Sequence, residues 1–402
     1  MGWPLKTIDE LGHVSRGRSR HRPRDAEHLY GGPYPFIQTS DVKHSALYIN
    51  EFSQTYSEAG LAQSKLWKAG TLCITIAANI ADTAILGIDA CFPDSIIGFI
   101  PEPEKADARF IKYLFDALLQ RRFQRFTQGA AQDNLSQEKL LSLRFPTPGL
   151  RTQKRIADIL SAYDDLIENN RRRIQLLEQS ARMLYKEWFV HLRFPGHERV
   201  KIKDGVPEGW GDFSLAELAD SISYGYTASA DLYSVGPKFL RITDIVPEVI
   251  DWAAVPFCKI SEKDFQKFSL QQGDIVVART GATVGYAKRI GQTEHDAVFA
   301  SYLVRFRFNE KIDDTIAGIF MESQDYKTFV RNNAGGAAQP NANAGVLSAA
   351  RLLVPPKSVQ KNFRELVEPV NQQKGRLQKQ NRSLMKARDL LLPRLMNGEV
   401  EV

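Results

Sequence analysis

The fold class this sequence predicts is α+β: two homologous mixed α/β domains separated by two long helices that form an antiparallel coiled coil. Three observations predict it. The chain repeats itself once, each repeat opens with short β-rich runs, and each closes in a long helical pattern almost free of glycine.

The repeat is read from matched segments in constant order. "YPFIQTSDV" (34–42) returns as "KFLRITDIV" (238–246), with Asp41 and Asp244 offset by 203. "WKAGTLCIT" (67–75) returns as "LQQGDIVVA" (270–278), with Gly70 and Gly273 again 203 apart. "GAAQ" recurs at 129–132 and 336–339, and Gln153-Lys154 recurs as Gln360-Lys361, both at an offset of 207. Trp3 and Leu11 match Trp210 and Leu218 at that same 207. A period of this length is too long for a solenoid and means two similar domains.

Within each unit the β-rich runs, such as Thr71–Ile76 and Asp274–Ala278, are punctuated by Gly, Pro and Asn. A helical stretch follows, Ala108–Phe126 in the first half and Asp313–Arg331 in the second. A proline-marked exit comes next, Phe145-Pro146-Thr147-Pro148 and Val354-Pro355-Pro356. The expected boundaries are 1–150 for the first domain, 151–195 for the first long helix, 196–356 for the second domain and 357–402 for the second long helix.

In the first long helix Leu160, Ile167, Ile174, Ala181 and Trp188 share one heptad position. Ile156, Tyr163, Asn170, Leu177 and Leu184 occupy the position four before. Residues 152–190 would span about 58 Å at 1.5 Å per residue, longer than a domain of this size is wide. The second helix repeats the idea with Phe363, Val370, Leu377, Leu384 and Leu391, and Pro369 is expected to kink its first turns. One narrow seam per helix needs a partner, and the other helix is the simplest one. The expected interface is therefore Leu160, Ile167, Asn170, Ile174, Leu177 and Leu184 against Val370, Leu377, Leu384 and Leu391, with Asn170 a candidate for setting register.

At 402 residues the chain exceeds one ordinary core, and 43% apolar and 25% charged residues describe a soluble globular protein. No apolar run approaches the roughly 20 residues of a membrane span. "MGWPLKTIDE" has no basic-then-apolar signal, so a cytoplasmic location is expected. Cys73, Cys91 and Cys258 are far apart with no CxxC, which argues against a zinc site or disulfide framework. A net charge of +6 and a pI near 9.0 lean toward a polyanionic partner.

Signs of catalysis are absent. Asp41-Val42-Lys43 spells the acid-x-Lys triplet of metal nucleases, but its second copy keeps Asp244 and replaces the lysine with Val246. There is no G-x-x-x-x-G-K-[ST] loop, no G-x-S-x-G elbow and no Asn-Pro-Pro-aromatic motif, and the seven histidines lack metal-ligand spacing. No catalytic and no metal-binding residue is expected in this chain.

Nucleic-acid contact is the better reading of three places. "SRGRSRHRPR" (15–24) carries Arg16, Arg18, Arg20, Arg22 and Arg24, and the matching slot of the second half, "SYGYTASAD" (223–231), carries Tyr224, Tyr226 and Thr227. A solvated charge run competes with this reading, but one slot filled by different chemistry is what two readers of different sequences should show. The strand ends offer Gln38, Thr39 and Lys43 against Arg241 and Thr243, with Asp41 and Asp244 read as turn caps. A strand-to-loop switch offers Arg279, Thr280 and Thr283 around Gly281, against residues 76–80 of the first half. The run Arg121-Arg122-Phe123-Gln124-Arg125 is read as a solvated face, with phosphate contact as the alternative.

The whole arrangement resembles the specificity subunit of type I restriction–modification systems. The resemblance is carried by "QKRIADIL" (153–160), "KEWF" (186–189), the "GWG" opening of the second half and the ending Leu392-Pro393-Arg394-Leu395. It implies that each domain is a target-recognition domain reading one half of a split double-stranded DNA target, and that the paired helices set the spacer between the halves. It implies two modification subunits that carry S-adenosylmethionine and methylate adenine, and restriction subunits that use ATP and Mg²⁺ to cleave. No cofactor is then expected in this chain. A methyltransferase-only or phage-defence system, and a coiled-coil scaffold whose domains bind protein, are the alternatives.

Overall fold

The structure, a computed structural model, describes residues 2–77, 80–120, 136–247, 249–336 and 340–402. They gather into two units, Met1–Ile174 with Arg376–Val402, and Gln175–Gly375. Each unit holds one repeat and a piece of both long helices, Leu150–Tyr185 and Lys357–Met396.

The buried apolar runs build the same sheet twice. In the first unit Leu72–Thr75, buried on both faces, lies between Ile96–Pro101 and Thr83–Leu86, all antiparallel. Gly12–Arg16 adds outside Ile96–Pro101, and Tyr48–Ile49 adds in parallel beyond Thr83–Leu86. In the second unit Ile275–Ala278 lies between Leu303–Phe308 and Ala287–Arg289, with Ala219–Tyr224 on the outer edge. A parallel pairing recurs as well: Phe36 faces Cys91 in one unit, and Phe239 faces Val298 in the other. Entry and exit of each repeat are tied as short ribbons, Leu5–Lys6 with Phe145–Pro146 and Gly211–Ser214 with Arg351–Val354.

The expected helix Ala108–Phe126 is seen as Ala108–Phe115 and a π-helical turn, Asp116–Gln120; its remainder, including Arg121-Arg122-Phe123-Gln124-Arg125, lies outside the described residues. The first "GAAQ", and Ala337 to Gln339 of the second, lie outside them too. The expected helix Asp313–Arg331 is two helices, Asp314–Met321 and Gln324–Asn333. Ser323 starts the second by accepting a hydrogen bond from the Tyr326 N–H at 3.2 Å, and this cap ends the continuity that the apolar pattern implied. Pro369 lies in a helix that runs on without interruption, its ring on the exposed side where the lost backbone bond meets water. Cys73, Cys91 and Cys258 are free and buried, and burial pushes the Cys258 thiol up to about 11.

The long helices pair antiparallel within each unit. In the first, Asn170 donates to the Asn381 Oδ1 at 2.8 Å and Asn381 donates to the Ile167 carbonyl at 3.2 Å. Six residues back along the first helix, Asp164 meets Arg388, seven residues forward along the second. In the second unit Glu178 lies 3.4 Å from Lys374, and Tyr185, Trp188 and Phe189 surround Phe363. Leu160, Ile167, Ile174, Ala181 and Trp188 are buried as one seam. The companion seam differs from expectation. Ile156 and Asn170 are buried as expected, but Tyr163, Leu177 and Leu184 are half-buried, and the position one residue on is buried at Ala157, Asp164, Glu178 and Tyr185. On the second helix Leu377 is buried, while Val370, Leu384 and Leu391 are half-buried beside Val367, Lys374, Asn381, Arg388 and Leu395. A charge in a helix seam is tolerated when its partner sits opposite, and each acidic position here has one.

Asp164 joins three elements. It accepts a hydrogen bond from the Tyr113 hydroxyl at 2.5 Å as well as from Arg388. Burial and the adjacent carboxylate push the Tyr113 phenol well above its ordinary range. Burial opposes the charge on Arg388, yet the Asp164 carboxylate holds it firmly protonated.

A second polar device ties each domain to its own helix. Gln153, fully buried, accepts from the Asp107 N–H at 3.1 Å and donates to the Lys105 and Pro148 carbonyls at 3.0 and 2.9 Å. Gln360 accepts from the Asp313 N–H at 2.8 Å and donates to the Lys311 and Pro355 carbonyls at 2.9 and 2.8 Å. Asp107 and Asp313 in turn cap the domain helices through the N–H groups of Arg109 and Thr315.

Gln153→Leu strands one N–H and two carbonyls, so it should lower stability in urea denaturation by about 2–4 kcal/mol. Arg388→Met leaves the Asp164 carboxylate buried and uncompensated and should cost about 3–5 kcal/mol in the same measurement. Lys374→Met should cost less, because Arg182 remains 2.7 Å from Glu178.

Candidate nucleic-acid interface

The outer edge strand of each sheet leads to an equivalent three-residue frame. Arg16 pairs with Ile97 as Tyr224 pairs with Val304. The next residue, Gly17 or Gly225, donates its N–H to the carbonyl of Ile96 or Leu303 at 2.8 and 3.2 Å. Arg18 and Tyr226 then donate to the carbonyls of Phe92 and Phe299 at 3.0 and 2.8 Å. The central residue must be glycine, because a Cβ would meet the Pro93 carbonyl oxygen at 2.3 Å in one copy and that of Ala300 at 2.2 Å in the other.

The residues flanking this glycine have different surroundings. Arg16 is exposed, with its Nε donating to the Asp94 carbonyl at 3.1 Å, and Tyr224 is 41% exposed. Arg18 is half-buried and donates twice to the Ser64 carbonyl, at 3.0 and 2.5 Å, while Ser64 returns a bond to the Arg18 carbonyl. Tyr226 packs on Phe268 with ring centroids 5.4 Å apart. Arg22 folds back on the Ser19 and His21 carbonyls, and Arg24 pairs with Asp94 at 2.9 Å. Arg20 is exposed and binds through its backbone N–H to Gln63, and Thr227 is exposed. Of these five arginines Arg18 alone is half-buried; Arg16, Arg20, Arg22 and Arg24 are exposed, although Arg16, Arg22 and Arg24 also bond to groups of the domain.

In the second domain further candidates converge on Tyr224. The Arg279 guanidinium lies over its ring at 4.8 Å, and Nη2 donates to the Asn341 Oδ1 at 3.4 Å. The Arg279 Nε is buried without a hydrogen-bond partner among the described residues. The Tyr224 hydroxyl accepts from the Ala344 N–H at 3.0 Å, at the start of the helix Ala344–Ser348. Thr280 bridges to Asn341, and Gly281, at φ +78°, donates to the Pro340 carbonyl at 2.9 Å. Thr283 is half-buried in the following turn. Arg279 also donates its N–H to the carbonyl of Tyr302, whose side chain is 61% exposed. Tyr302 and Asn341 escaped the sequence reading. The signal available for Asn341 was the loop "NANAG" (341–345), which follows closely on the repeated "GAAQ". In the first domain Ile76 donates to the Ser95 carbonyl where Arg279 donates to that of Tyr302, and the opposing loop residues Ala78 and Asn79 lie outside the described residues.

The strand ends are capping boxes in both copies. Asp41 accepts from the Gln38 N–H at 2.7 Å and starts the helix Thr39–His44; Asp244 accepts from the Arg241 N–H at 2.8 Å and starts Ile242–Ile245. The side chains of Gln38 and Arg241 are engaged within the domain. Gln38 donates to the Gln54 Oε1 at 2.6 Å, and Arg241 grips both oxygens of Asp244, whose hydrogen bonds raise the guanidinium pKa. Thr39 is half-buried, while Lys43 and Thr243 are exposed. The Asp41 carboxylate of the acid-x-Lys triplet is thus a helix cap, and no group of three or more His, Cys, Asp or Glu among the described residues is placed to hold a metal ion. Among these residues no helix is long and apolar enough to cross a membrane.

The profile of a family described as "Type I restriction modification DNA specificity domain" matches residues 1–179 and again 207–383. The type I restriction enzyme MjaIX specificity subunit of Methanocaldococcus jannaschii is 24% identical over 100% of this chain and 94% of its own length. The HindI specificity subunit of Haemophilus influenzae is 21% identical over 97% of this chain and 98% of its own. The crystal structure of a type I restriction-modification S subunit from M. genitalium has the same fold, with a TM-score of 0.56, 15% identity, and 98% and 96% of the two chains covered. Two matches in tandem, one to each repeat and together spanning most of the sequence, place the chain: it belongs to the type I restriction modification DNA specificity domain family.

Proposed function

We propose that the chain is the DNA specificity subunit of a type I restriction–modification complex and that each domain reads one half of a bipartite target. The observation that carries this reading is the shared glycine frame, which presents Arg16 outward in one domain and Tyr224, backed by Arg279, in the other. A common scaffold with exchanged side chains is how two domains of one origin come to read different sequences. The names of the relatives and the basic net charge of +6 support the same reading.

The paired helices act as the spacer between the two half-sites, and their length suits halves about one DNA turn, 34–36 Å, apart. On the first long helix Ile159 and Leu166, 37% and 49% exposed, lie seven residues apart; Leu176, Met183 and Val190, 63%, 62% and 54% exposed, lie at the same interval. Exposed apolar side chains at this spacing support docking of modification subunits, two in number, along the helices. Those subunits supply S-adenosylmethionine and methylate adenine; restriction subunits supply ATP- and Mg²⁺-dependent cleavage. This chain contributes recognition and no catalytic group.

Affinity for duplex DNA should fall steeply between about 50 and 200 mM salt, as expected where several phosphates are neutralised. A flat response in fluorescence anisotropy would favour a protein-binding scaffold instead. Exchanging residues 1–150 for the corresponding domain of a relative should change one half of the methylated motif and leave the other intact. Arg16→Ala should weaken binding of the target, whereas Arg18→Ala should mainly lower the stability of the first domain by about 1–3 kcal/mol, because it strands the Ser64 carbonyl.

A further inference from the structure

We propose that Arg279 reads a guanine edge in the half-site bound by the second domain, with Tyr224 and Asn341 as its positioning residues. The inference rests on the DNA-reading function above and adds the residue and the base. An arginine that only neutralises phosphate keeps a mobile side chain in water. Arg279 is instead half-buried, its guanidinium over the Tyr224 ring at 4.8 Å and tethered through Nη2 to Asn341 at 3.4 Å. A guanidinium held this way presents a planar fork in fixed orientation, and that fork matches the O6 and N7 acceptors of guanine in the major groove.

The support behind the fork is itself braced. The Tyr224 hydroxyl accepts from the Ala344 N–H, so the ring cannot turn away without stranding that donor. The Arg279 backbone is pinned on both sides, its N–H donating to the Tyr302 carbonyl and its carbonyl accepting from the Ala342 N–H. Its Nε is buried without a partner among the described residues, so the outward-facing donors are those of the terminal guanidinium nitrogens. Exposed Tyr302 places an aromatic ring on the adjoining residue pair, available to a base or a sugar. The first domain has Ile76 and Ser95 at the corresponding positions, so the device belongs to the second half-site alone.

The test is the methylated motif, read by single-molecule sequencing of DNA from cells expressing the full chain with its modification subunit. Arg279→Gln and Arg279→Lys should each make one guanine of the second half-site degenerate while the first half-site stays intact, which shows in the same experiment that the complex is assembled. Binding of the preferred duplex should fall about five- to hundredfold, and binding of a duplex changed at that guanine should not fall further. Tyr224→Ala should weaken the same preference, and Tyr224→Phe should do so less because it keeps the ring.

An unchanged motif in both Arg279 variants, beside a bipartite motif for the unaltered chain, would overturn this inference and leave the general reading standing. Equal loss of binding on every duplex would also overturn it, because that is the behaviour of a phosphate contact. If the unaltered chain produced no bipartite motif, the proposed function itself would fall.

Discussion

Two buried glutamines carry the connection between each domain and its helix. Gln153 and Gln360 each satisfy one N–H and two carbonyls at the point where the chain leaves the sheet and enters a helix. That place is awkward for a folded chain. A helix start leaves donors without partners, and the prolines just before it, Pro148 and Pro355, have no N–H to contribute. A single side-chain amide, which can donate twice and accept twice, meets both needs. Because Asp107 and Asp313 are at once its partners and the caps of the domain helices, the clamp fixes the direction of the long helix relative to the domain that carries it. A domain loosely joined to its helix could not hold its half of a target at a defined place.

The helix pair depends on a related principle. An apolar seam alone would let two antiparallel helices slide by a heptad with little penalty, since leucine faces leucine in either register. Asp164 with Arg388, Asn170 with Asn381 and Glu178 with Lys374 remove that freedom, because a slip would leave a buried charge or amide without its partner. The two units use different residues for the purpose. The first recruits Tyr113 from the domain helix into the Asp164 cluster, and the second packs aromatic rings around Phe363.

The equivalence of the matched slots was legible before folding, though not the surroundings of each side chain. The matched slots "SRGRSR" and "SYGYTA" occupy equivalent frames in the two domains, and the capping roles of Asp41 and Asp244 followed from strand ends that keep the acid while their neighbours change. Which arginines face water was not legible. Arg16 and Arg18 look alike in sequence, and a backbone turning at Gly17 leaves one exposed and folds the other onto Ser64. Gln38 and Arg241 carry side chains suited to base edges, and in the structure both bond within their domains, Arg241 to the same aspartate that caps the turn. Tyr302 and Asn341 meet Arg279 only through strands and loops distant in the chain.

The sequence by itself determined the duplication, the two mixed domains, the two long helices and the lean toward a polyanion, because offset, periodicity and composition survive without coordinates. Tertiary structure decided what lies between those elements. Periodicity finds apolar stripes and passes over Asp164 and Glu178, whose cross-helix partners, Arg388 and Lys374, lie about 200 residues away in the chain. Likewise a lone Arg279 carries no meaning until Tyr224 lies beneath it and Asn341 beside it. Apolar burial is a property of one segment's pattern, while the satisfaction of a buried polar group is a property of a pair, and the pair exists only once the chain has folded.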